Sequence, residues 1–193
     1  MNRLLVIALA VSLSVVAEPS DKAWQIIPGK RVGPVTSLSS QSTLEALFGR
    51  KNVTMAKLPA AEGETIDGAR VAVSPGRELE VIWEDMAVGK RISMVRLIGK
   101  GWTLDNGLRL GLTIADVEKI NGKPFKISGF DWDYGGWANF SEGTLATGVS
   151  VRFSPTESDY SREIVGDRDV SSTSAALRAA NPLVTEIDIH LGQ

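Results

Sequence analysis

The segment Asp131-Trp132-Asp133-Tyr134-Gly135-Gly136-Trp137 packs two carboxylates, three aromatic rings and a glycine pair into one short stretch. Counted as a calcium loop, Asp131 takes position 1, Asp133 position 3 and Gly136 position 6; the Trp137 carbonyl, Asn139 and Glu142 come at 7, 9 and 12. Position 5 is Gly135, which removes one oxygen ligand, and glycines or proline on either side break the helices that normally flank such a loop. A hairpin turning at Gly135-Gly136 explains the same glycines, with Phe130, Trp132 and Tyr134 on the core side and both aspartates in water. On that reading calcium binds weakly or not at all. Trp132, Tyr134 and Trp137 have a second use, as a platform that stacks on sugar rings or anchors a protein partner. Trp137 lies beyond the turn and is the ring expected to be in contact with a ligand.

Other chemistries are constrained by residue type. The chain has no cysteine and one histidine, which excludes Cys-His and multi-His zinc sites. A Ser-His-Asp triad has only His190 to use, and its neighbours of the same parity, Glu186 and Asp188, read as a solvated strand face. No G-x-S-x-G elbow or S-x-x-K pair occurs. Paired carboxylates for glycoside hydrolysis could be drawn from Asp131, Asp133, Glu142 and Glu157, but their spacing does not set them apart from surface charge. No cofactor motif is present. The expectation is a protein without enzymatic activity that binds another macromolecule; the alternative is a saccharide- or cell-wall-binding module or hydrolase that uses the aromatic and acidic hairpin Trp132 to Glu142.

These residues sit on a chain of 193 with 21 Lys and Arg against 23 Asp and Glu, a net charge of −2. The balance and the lack of a basic block argue against nucleic acid as a partner. Arg3, the apolar run Leu4 to Val16 and the junction Val15-Val16-Ala17 read as a secretory signal over residues 1–17 cleaved near Ala17, too short to span a membrane. The expected location is periplasmic or secreted, and the expected partner another protein or an envelope component. With no disulfide, the remaining chain must rely on its core, and it is long enough to bury roughly 70% of its unfolded surface.

The positioning elements show a faint internal echo. Ser42-Thr43-Leu44-Glu45-Ala46-Leu47-Phe48-Gly49 aligns with Ala115-Asp116-Val117-Glu118-Lys119-Ile120-Asn121-Gly122, pairing Leu44 with Val117, Glu45 with Glu118 and Leu47 with Ile120. Each block reads as a short helix, capped by Ser42 or Thr43 in one case and Thr113 in the other, and ended by glycine. Strands are expected at Val71–Val73, Glu78–Trp83, Ile92–Ile98, Phe125–Tyr134, Trp137–Phe140 and Val149–Phe153. A short helix from Ser172 or Ser174 and a last strand with Thr185, Ile187, Ile189 and Leu191 on its apolar face close the chain. The expected class is α+β, two tandem helix-then-antiparallel-sheet units over 18–99 and 100–193, the second carrying the C-terminal helix and strand.

The approach Gly33-Pro34-Val35-Thr36 or Gly111-Leu112-Thr113 to a short helix ending in Gly, over Gly33 to Trp83 and Gly111 to Phe153, resembles the repeat of β-lactamase-inhibitory-protein-like domains and of SmpA/OmlA-type outer-membrane assembly lipoproteins. That resemblance implies a helical pair on one face of an antiparallel sheet, joined in tandem. The chain lacks the lipid-anchor cysteine of the lipoproteins and the bracing cysteines of the inhibitors. No function transfers with a fold alone.

Overall fold

The computed structural model describes residues 24–86 and 89–192. The signal reading of residues 1–17 lies outside them. A small antiparallel meander, β1 (Ile26–Ile27), β2 (Arg31–Val32) and β3 (Val35–Thr36), leads to α1 (Gln41–Phe48). Then come four longer strands, β4 (Val53–Pro59), β5 (Thr65–Ser74), β6 (Arg77–Met86) and β7 (Gly89–Ile98). After α2 (Ile114–Asn121) come β8 (Lys126–Ser128), β9 (Ala138–Asn139), β10 (Val149–Ser154), β11 (Asp169–Ser171), α3 (Ala175–Ala179) and β12 (Leu183–His190).

The main sheet has the order β10-β12-β7-β6-β5-β4, antiparallel throughout, and β8, β9 and β11 form a third sheet. The last strand is therefore interior. It inserts between β10 and β7 because Val184, Ile187 and Ile189 bury completely on one side while its backbone pairs on both edges. One apolar cluster lies on that side, built from the sheet, the helices and the smaller sheets, with Leu44, Val95, Val117, Phe153 and Leu177 among its buried members.

This overturns the expected class. The fold is mainly β, with three antiparallel sheets and three short α-helices among the described residues, and it is not two helix-then-sheet units. The helices themselves lie near their expected places. Ser40, rather than Ser42 or Thr43, caps α1 by accepting from the Thr43 N–H at 3.2 Å. Thr113 and Asp116 form a capping box at α2. Leu44 and Val117 are both fully buried, but Leu47 is 45% exposed whereas its counterpart Ile120 packs on the core.

The strands downstream of the two helices differ most. Four strands of seven to ten residues come after α1. After α2 the strands are three and two residues long, and β10 and β12 join the first sheet. Backbone geometry cuts the expected Phe125–Tyr134 strand short. Gly129 lies so close to the Gly166 carbonyl that a Cβ would clash, and Asp131 turns the chain at φ 63°.

Candidate ligand-binding cleft

Two bulges decide which side chains leave the core. Ile82 pairs with Met94 and Trp83 with Ile92, so Ser93 is an extra residue on β7. Arg152 pairs with Glu186 and Phe153 with Val184, which leaves Thr185 extra on β12. Each extra residue resets the inward–outward alternation of its strand. On β12 this makes Val184 the inward residue, and the exposed Thr185 drops out of the apolar face assigned to it from sequence.

On the outer face one row of paired residues runs Ser150, Asp188, Arg96, Glu80, Arg70 and Thr54 across all six strands. Four of them alternate in charge. Arg96 donates from Nε to Asp188 Oδ1 at 2.9 Å and from Nη2 to Oδ2 at 3.2 Å. It also lies 2.8 Å from Glu186 and 3.6 Å from Glu80, which accepts from Arg70 Nε at 3.1 Å. The bidentate pair fixes the guanidinium plane, which compensates for the loss of water around three carboxylates. Asp188 is 2% exposed, so the sequence reading of this strand as a solvated face is wrong at Asp188 and Glu186. Burial, then the negative charge of Asp188, pushes the Glu186 carboxyl above the usual range, against the pull of Arg96 and Arg152.

Asp188 and Arg96 of this row, with Glu186, line a cleft of about 390 Å³ whose walls include the 59–61 turn and the 133–137 loop, a size suited to a small ligand. Tyr134 and Trp137 line it. Tyr134 is 42% exposed, and its hydroxyl donates to Glu62 Oε1 at 3.1 Å, tying the loop to the opposite turn. That carboxylate raises the Tyr134 phenol above its ordinary value. Arg152 stands over the Trp137 ring at 5.7 Å and donates to the carbonyls of Gly135 and Asp133. The arginine thereby holds the loop on the sheet.

Of the three rings expected on the core side of the hairpin, only Phe130 is buried. Trp132 is half-buried, donates from Nε1 to the Gly129 carbonyl at 2.8 Å and tilts against Tyr134 with ring centroids 5.3 Å apart. The strand ends before these rings because β8 and β9 pair only at Lys126–Asn139 and Ile127–Ala138. A wide loop replaces the expected tight turn.

The residues numbered as a calcium loop have separate partners. Asp131 accepts from the Tyr160 hydroxyl at 2.7 Å, Asn139 pairs in the third sheet, and Glu142 lies 4.0 Å from Lys123. Asp133 is at the cleft instead. Among the described residues no three acidic or histidine side chains converge in a way that holds a metal.

His190 reaches the cleft and shares a 2.7 Å hydrogen bond between Nε2 and Ser150 Oγ. The nearest sequence candidate for a third triad member, Asp188, gives both oxygens to Arg96, so the pair lacks the carboxylate that would orient a catalytic base. Sequence reasoning misses Arg96, Glu80 and Arg152. Their only signal there is a charged residue within a strand, and the pairing register is needed to bring them together.

No protein-family model matches the chain, and comparisons with curated proteins and with solved structures return no match. No helix among the described residues is long and apolar enough to cross a membrane.

Proposed function

We propose that this protein is exported and binds a saccharide component of the cell envelope in the Tyr134–Trp137 cleft, without turning it over. The observation that carries the reading is the meeting of two aromatic rings, Tyr134 and Trp137, with the buried Asp188, the partly buried Glu186 and two arginines in one cleft. Rings supply flat apolar faces for a sugar, and the ionic groups supply directional hydrogen bonds to its hydroxyls. Hydrolysis fits less well. Asp188, the neighbouring carboxylate to Glu186 on β12, gives both oxygens to Arg96, which leaves Glu186 without a free partner on that strand for acid–base work.

The test is calorimetric titration of the purified protein with neutral and charged envelope oligosaccharides, on wild type, Trp137→Ala and Tyr134→Ala. Binding that weakens about tenfold or more in either variant supports the reading. Saccharide binding unchanged in both variants places the site elsewhere, and release of shortened sugar would make the protein an enzyme.

A further inference from the structure

The cleft is short of positive charge. Four lining carboxylates, Glu84, Asp133, Glu186 and Asp188, face two guanidinium groups, Arg96 and Arg152. Asp188 occupies Arg96 with two hydrogen bonds, and Glu80, outside the cleft lining, also lies 3.6 Å from Arg96. Glu186 meets Arg96 only as an ion pair through Oε1. Arg152 is the remaining cation, but its Nε and Nη2 donate to backbone carbonyls of the 133–137 loop and its guanidinium covers Trp137. A partly buried carboxylate is thus left with half a partner beside two aromatic rings. Independently, Ser93 Oγ is buried without a hydrogen-bond partner among the described residues, and Ser93 lines the same cleft. A buried hydroxyl without a partner is costly unless something else meets it.

Resting on the saccharide reading, we infer that the cleft selects an amino sugar with its nitrogen free and protonated, and that Glu186 receives the ammonium group. A cation at this point completes the charge balance, gains from the ring of Tyr134, and brings several donors to a site rich in acceptors. An N-acetylated sugar has the same ring but replaces the ammonium with a neutral, bulkier amide, so the site discriminates by an unmet charge as well as by fit.

The experiment titrates the full chain with the β-1,4-linked glucosamine trisaccharide and with its N-acetylated counterpart, slightly below neutral pH. Wild type is expected to bind the free amine about tenfold or more tightly than the amide, and Glu186→Gln to bring that ratio close to one. Asp133→Asn, at the exposed rim, is expected to retain most of it. Equal affinity of the wild type for the two sugars, or a ratio that survives in Glu186→Gln, overturns the assignment while saccharide binding stands. A ratio lost equally in Asp133→Asn overturns it by assigning the preference to rim charge. Failure to bind either sugar removes the saccharide reading and this inference together.

Discussion

The two faces of the main sheet are one residue apart on every strand and could hardly be less alike. The inner row Val149, Ile189, Val95, Val81 and Ala69 is apolar and has almost no contact with water. The outer row, shifted by one residue, is Ser150, Asp188, Arg96, Glu80 and Arg70, and its middle three residues are also largely buried. The inner face is stabilised by area removed from water, which has no directional requirement. The outer face is held by charges that must each find a partner, so it is sensitive to single deletions and fixed in geometry. Burial alone therefore does not mark the core here. The ionic face offers the ordered donors and acceptors that the proposed binding site requires.

The sharpest way to break the contrast is to exchange the chemistry of the two faces at neighbouring residues. Val95→Asp puts an unpartnered carboxylate into the inner face and is expected to cost at least about 4 kcal/mol, enough to leave much of the chain unfolded. Arg96→Ala strands Asp188, Glu186 and part of Glu80, and an expected loss of about 3–5 kcal/mol in urea denaturation would show that the outer face is an interdependent unit. A loss below about 1 kcal/mol would mean that water replaces the arginine and the row is only a surface network.

A smaller effect separates Glu186 from its neighbours. Its folded carboxyl titrates above its unfolded value, so the folded state holds the proton more tightly. Stability contributed by that proton is complete at low pH and is lost as pH rises from the ordinary glutamate range through the raised folded value. Glu186→Gln removes this dependence. Wild type should therefore weaken relative to the variant as pH increases through that window, and parallel stability curves would remove Glu186 from the buried set.

The smallest expected change lies outside the sheet. Thr113→Ala deletes one half of the α2 capping box and should cost about 1 kcal/mol, read as a shift in melting temperature. Asp116, held below the usual carboxylate range by the side-chain and backbone hydrogen bonds of Thr113, has the opposite sign to Glu186. Its contribution is present above the ordinary aspartate value and disappears as pH falls towards the lower folded value. Asp116→Asn should flatten that acid limb while leaving the proposed binding in the cleft unchanged.

Local signals were legible in the residue order. Thr113 before Asp116 and Gly122 after Asn121 mark α2 because caps and αL glycines act within a few residues. The alternation in Glu78–Trp83 and Val149–Phe153 located β6 and β10 for the same reason. The aromatic segment from Trp132 to Trp137 also stood out by composition, and two of its rings do line the cleft. Which sheet each strand joins was decided only in three dimensions. The echo between the two helices suggested duplication, yet β10 and β12 pair onto β7 because apolar faces join wherever they bury most area, without regard to order along the chain. The bulges at Ser93 and Thr185 are equally invisible in one strand, since a bulge is a property of a pair. With them came the identity of the site. Asp188, Arg96 and Glu80 are scattered through the sequence as ordinary charges, and cross-strand register makes them neighbours, buries them and leaves Glu186 with half a partner.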